Sequence, residues 1–98
     1  MKDLISSLNK VFESRIRLGI MSILMVNDSF DFRSLKESLN VTDGNLASHL
    51  KALEENGLIT ASKLFLGRKP NTTYSATETG KELFREHLSA LEDIIKSK

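Results

Sequence analysis

The 98-residue chain has no cysteine and no tryptophan, a single proline and a single tyrosine. Without thiols there are no disulfides, no thiolate metal sites and no thiol redox sensing. That composition fits a cytoplasmic protein, which is the expected location. Long apolar runs are also missing. The longest stretch without a charge, residues 18–27, is far shorter than the roughly 20 residues needed to cross a bilayer. No basic segment followed by an apolar core opens the chain, so no secretory signal is expected and no membrane partner. Charge of one sign is scarce as well: 14 Lys and Arg face 13 Asp and Glu, a net of +1. Any attraction for nucleic acid must therefore come from local clustering.

Catalytic apparatus is absent from the pattern too. There is no nucleophile–base pair and no phosphate loop. The carboxylate pairs Glu54-Glu55 and Glu92-Asp93 read as solvated helix faces. Two histidines without cysteine make no metal site. The expectation is a non-enzyme with no cofactor, and at this length a single domain over residues 1–98.

What is present centres on residues 42–59. Thr42 can cap a helix there, and Asp43 sits at its positive end. Leu46, Leu50 and Leu53 form one apolar stripe, and Asn56-Gly57 ends the helix. The opposite side carries Asn45, Ser48, His49, Ala52 and, at its edge, Lys51. A short polar face of this kind can read hydrogen-bond patterns at close range. For Thr42 the cap is favoured over a phosphate or base contact. His49 lies beside the apolar stripe, and packing and base reading stand level. Gly44 either lets backbone approach a phosphate or merely fits a crowded turn. Asp43 would repel phosphate, which disfavours nonspecific binding, or it accepts from a cytosine.

Upstream, Leu4, Ile5, Leu8, Val11 and Phe12 have helical spacing. They predict a first amphipathic helix over about residues 1–12, packed on its own domain or on a partner subunit. Ser14 caps the next predicted helix, residues 15–26, which is apolar nearly all round and includes Gly19, expected at a close contact. Arg15 and Arg17 are expected to anchor its start through local pairs. Residues 29–32 suit a very short strand and residues 33–39 a short helix. Its tight link to the helix at 42 makes a helix-turn-helix.

Beyond Gly57 the period changes. Residues 58–66 and 72–76 are rich in strand formers. Residues 67–71 between them form a turn with two cations, Arg68 and Lys69, into which Pro70 is placed because it cannot donate to a ladder. The result is a β-hairpin with a basic tip. A last helix, about residues 78–96 and capped by Thr77, carries Leu83, Phe84, Leu88, Leu91, Ile94 and Ile95 as an apolar stripe, with His87 on the same side as an interface residue in preference to a metal ligand.

The order of helix, helix, polar helix, basic hairpin and long closing helix resembles the small winged-helix transcriptional regulators of the MarR/ArsR-like group. The likeness runs over essentially the whole chain. Ser14-Arg15-Ile16-Arg17-Leu18 is similar to the opening of that group's first core helix, and residues 35–50 to its helix-turn-helix. Leu53-Glu54-Glu55-Asn56-Gly57-Leu58-Ile59 is similar to the exit into its wing. Gly67-Arg68-Lys69-Pro70 with Thr72-Thr73-Tyr74 resembles the wing, and Thr77-Glu78-Thr79-Gly80 the cap of the closing helix.

The resemblance implies a mainly α fold with a small β-hairpin: a winged helix-turn-helix with extra N- and C-terminal helices. It implies double-stranded DNA as partner and a homodimer on a palindromic site. The expected DNA-binding residues are Thr42, Asn45, Ser48, His49, Lys51, Lys63, Arg68, Lys69 and Thr72. The expected dimer interface is Leu4, Ile5, Leu8, Phe12, Phe84, His87, Leu88, Leu91, Ile94 and Ile95. Lacking the cysteine ligands, the chain gives no support to ArsR-type metal sensing. A small-molecule effector is compatible with this group, but no residue identifies one. A solvated basic turn is the plain reading of Arg68 and Lys69 alone, and a protein-interaction module is the alternative for the whole domain.

Overall fold

Side-chain caps set where the helices begin. In the computed structural model, which describes residues 3–97, a 3-10 turn (Lys10–Phe12) leads into α1 (Arg15–Met25). Then follow β1 (Phe30–Asp31), α2 (Phe32–Leu39), α3 (Asp43–Glu55), β2 (Ile59–Leu66), β3 (Lys69–Ala76) and α4 (Glu78–Lys96). Ser14 Oγ accepts from the Arg17 amide at 3.3 Å, Thr42 Oγ1 from the Asn45 amide at 3.2 Å and Thr77 Oγ1 from the Gly80 amide at 2.9 Å. Each satisfies a first-turn N–H that has no partner within its helix. Asp31 caps α2 in the same way, accepting from the Ser34 amide at 3.1 Å and the Ser34 hydroxyl at 2.6 Å. That hydroxyl bond holds the Asp31 carboxyl below its ordinary value against the opposing effect of burial. The cap starts α2 at Phe32, one residue before the expected boundary.

The helix ends are equally specific. Asn40 takes φ 52°, in the left-handed region, and closes α2. At the end of α3 the Gly57 amide donates to the Glu54 carbonyl and the Leu58 amide to the Leu53 carbonyl, both at 3.0 Å. Gly57 has φ +72°. These two bonds, with Leu53 and Leu58 both buried, make a Schellman ending.

The strands form one antiparallel sheet in the order β1-β3-β2. Leu66 pairs with Lys69, so the hairpin turns on Gly67-Arg68 alone, with φ +68° at Gly67. The expected longer turn is corrected here. Pro70 lies inside β3, opposite Phe65. It is tolerated because β1 reaches only Tyr74 and Thr73, so the outer edge of β3 at Pro70 has no ladder to supply.

The core gathers Ile20, Met21 and Leu24 of α1, Leu35 of α2, Leu46, Leu50 and Leu53 of α3, and Leu58, Ile59 and Phe84. Gly19 is where α1 meets α2: a Cβ there would stand 2.5 Å from Leu39 Cδ2.

The expected N-terminal helix is replaced by turns and the single 3-10 turn, and residues 1–2 of it lie outside the described residues. Local side chains compete for the backbone. Asp3 Oδ1 accepts from the amides of Ile5 and Ser6, and Asn9 Oδ1 from that of Val11. The segment folds back on α4 of its own chain. Phe12 is fully buried and meets Phe84 edge-on at 5.1 Å between ring centroids. The Asn9 amide donates to His87 Nδ1 at 3.0 Å. Phe12, Phe84 and His87, expected at a dimer interface, are thus used inside the protomer. Ile5, Leu88 and Ile95 stay exposed, and Leu4, Leu8, Leu91 and Ile94 are half-buried.

Gly80 packs directly on the Leu58 backbone, and a Cβ there would overlap the Leu58 carbonyl. Gly44, by contrast, has open space. Gly80→Ala is expected to lower unfolding free energy by about 1–3 kcal/mol, whereas Gly44→Ala should leave it unchanged or raise it by up to about 1 kcal/mol. Urea unfolding of the two variants measures both.

Candidate nucleic-acid interface

The stripe Leu46, Leu50 and Leu53 seats α3 on the core and turns its other side to solvent. Asn45, Ser48 and Lys51 are exposed, as expected of residues that face a partner. Thr42 is exposed too; its oxygen accepts the cap bond, which leaves its hydroxyl proton and a second lone pair to offer. Gly44 is exposed with nothing within 4 Å of an added Cβ. The turn around Gly44 is therefore not crowded, and the fold of the protomer does not require a glycine there. Asp43 is paired: Lys36 Nζ of α2 lies 2.9 Å from its Oδ1. Asp43 is largely exposed and Lys36 half-exposed, so the pair adds little stability, but it offsets a negative charge at the start of α3.

His49 takes the packing role at least in part. It is half-buried, and Arg17 Nε of α1 donates to its Nδ1 at 2.9 Å. Arg17 Nη1 also donates to the Val11 carbonyl at 3.3 Å. Burial first, and then the Arg17 charge, hold the His49 pKa below the usual 6.5. The long-range bond from Arg17 to His49 left no trace in the spacing, because it joins residues 32 apart whose approach only the packing of α1 on α3 creates.

Past Ile59 every residue of β2 is exposed, so the hairpin projects from the core. Lys63 pairs across from Thr72, and Arg68 occupies the turn. Lys63, Lys69 and Thr72 line one groove with Asp31 and Arg33. Arg33, not among the expected contacts, thus joins three of them. It is largely exposed and pairs with Glu37 at 3.4 Å. Leu64, Phe65 and Leu66 are 56–67% exposed beside these cations. Among the described residues no group of three or more His, Asp or Glu side chains is arranged to hold a metal ion. No helix among them is long and apolar enough to cross a membrane.

A family model for the winged helix DNA-binding domain matches residues 16–95. The chain belongs to that family. It is 34% identical over 88 residues to an uncharacterized protein of Methanocaldococcus jannaschii, covering 90% of this chain and 96% of that one. Among solved structures, a transcriptional regulator homologue protein from Pyrococcus horikoshii is 35% identical, with TM-score 0.77 and coverage of 92% of this chain and 94% of the other. A MarR-family structure from Enterococcus faecalis, 23% identical with TM-score 0.71 over 95% of this chain and 79% of its own, shares the fold. In winged-helix terms α2 and α3 are the helix-turn-helix, with α3 as recognition helix, and the β2–β3 hairpin is the wing. The third strand, β1, pins the wing's base through Phe30 opposite Tyr74 and Asp31 opposite Thr73.

Because His49 is harder to protonate in the native protein than in the unfolded chain, the unfolded state binds more protons where the two differ. The associated stability is complete above the ordinary imidazole value of 6.5 and is lost as pH falls through the lowered native one. His49→Gln should flatten this part of the stability curve, seen by comparing urea midpoints of both proteins at several values between about pH 5 and pH 8.

Proposed function

We propose that the protein is a sequence-specific transcription regulator that binds double-stranded DNA as a homodimer on a palindromic site and controls polymerase access sterically. The single observation that carries this reading is the recognition helix. It is firmly seated on the core by one face and offers Asn45, Ser48 and Lys51 outward. The B-DNA major groove accepts one such helix, and Asn suits adenine because its amide both donates and accepts. Ser48 and Thr42 suit base edges or phosphates. Lys63, Arg68, Lys69 and Thr72 place the wing against phosphate or the adjacent minor groove. With a net charge of only +1, these local cations supply the attraction. The solved regulator homologue at 35% identity supports the same reading. The expected location is cytoplasmic.

The dimer rests on the apolar side chains that the protomer leaves uncovered. Ile95 is 81% exposed, Ile5 70% and Leu88 45%, with Leu4, Leu8, Leu91 and Ile94 half-covered beside them. A two-fold pair would present two recognition helices roughly 34–36 Å apart, one turn of DNA. The competing reading, a protein-interaction module, draws on exposed Leu64, Phe65 and Leu66, yet the cations around them favour an anionic partner.

Two measurements test these statements. Selection of bound sequences followed by titration across salt should give a palindromic site, and Arg68→Ala with Lys69→Ala should reduce the slope of log affinity against log salt by about 2 per protomer. Failure to enrich any sequence removes the regulator reading, and an unchanged slope removes the wing from it. In sedimentation at micromolar concentration the wild type should run as a dimer and Leu88→Glu/Ile95→Glu as a folded monomer. A monomeric wild type overturns the dimer.

A further inference from the structure

His49 stands on the flank of α3, one turn beyond Asn45 and next to Ser48. Its ring is not free to choose a tautomer. The partner at Nδ1 is a guanidinium N–H, and a guanidinium has only donors. Nδ1 must therefore be the bare nitrogen, and the neutral ring carries its proton on Nε2. Nε2 has no protein partner among the described residues. No buried side-chain polar atom there lacks a partner, so Nε2 meets solvent. The recognition helix thus holds a fixed N–H donor one turn beyond Asn45. Protonating His49 would set two donors face to face at Nδ1, and the lowered pKa of the ring agrees with that penalty.

Base edges in the major groove differ in what such a donor can meet. Guanine shows two adjacent acceptors, N7 and O6; adenine shows one, N7, beside an amino donor, thymine shows one, O4, beside its methyl group, and cytosine shows an amino donor. We infer that Arg17 is a positioning residue that locks His49 as an Nε2–H donor, and that His49 thereby selects guanine at one position of each half-site. This inference rests on the DNA-binding reading above. Arg17 itself stays off the bases, with its Nε on His49 and its Nη1 on the Val11 carbonyl.

The test combines nitrogen-15 NMR of the histidine rings in the free protein with selection of bound sequences by wild type, Arg17→Met, His49→Ala and the double variant. Wild-type His49 should show a protonated Nε2 and a bare Nδ1. In Arg17→Met its titration should move up toward the ordinary imidazole range, and the two tautomers should mix. In the selections each single variant should lose about tenfold of the preference for guanine at the same position and keep the others. The double variant should match the singles, since both changes remove one device. A wild-type ring protonated on Nδ1 overturns the inference without any DNA measurement. So does a wild type that selects a site whose profile both variants reproduce, with the regulator reading intact. A uniform loss of affinity with unchanged base preference would make His49 a phosphate contact and overturns the guanine assignment. A wild type that enriches nothing removes the regulator reading, and this inference with it.

Discussion

The fold turns on one backbone group, the carbonyl of Leu58. It accepts from the Thr77 amide at 3.0 Å, and Gly80 passes against it without a side chain. One residue earlier, the Gly57 carbonyl accepts from the Thr77 hydroxyl at 2.8 Å, while the same hydroxyl oxygen accepts from the Gly80 amide. The end of α3, the start of β2, the end of β3 and the start of α4 all meet within these few bonds. The recognition helix, the wing and the closing helix therefore share one point of attachment. Their relative directions are set by short backbone geometry and do not depend on long side chains, which rotate. A DNA reader needs that rigidity, since base contacts tolerate little misplacement.

The other end of α3 is held by charge and polar contacts. Lys36 reaches Asp43 from α2, and Arg17 reaches His49 from α1. These ties bring little stability where they are exposed. Their effect is on direction and on charge: one offsets the acid at the start of α3, the other sets which imidazole nitrogen can donate.

Local rules written in neighbouring residues were legible in the chain. Ser14, Thr42 and Thr77 each announced a helix start, and each accepts the expected amide. The Leu46, Leu50, Leu53 stripe predicted the buried side of α3, and Gly19 a close contact, whose partner proves to be Leu39 of α2. Features that depend on tertiary approach were not legible. The 4, 5, 8, 12 spacing suggested a helix, but Asp3 and Asn9 captured the backbone first. His87 and Phe84 looked like interface residues because a stripe does not say which surface covers it, and the chain's own N-terminal segment does so. Pro70 was placed in the loop by a rule that holds for paired edges, and here one edge is unpaired. Of the site, the exposed polar face and the basic turn were visible, while the Arg17–His49 tie, Arg33 in the groove and the service of Gly80 to Leu58 were not.

The wing has a cost of another kind. β2 is an edge strand, exposed from Thr60 to Leu66, and its outer half carries three consecutive apolar side chains. An open strand edge of this composition is a template for pairing with another copy. Lys63 and Arg68 bracket the apolar triplet and act as gatekeepers through mutual repulsion between molecules. Salt screens that repulsion. The concentrated ionic conditions that strip a protein of this kind from nucleic acid during purification are thus the ones in which its own wings would stick together.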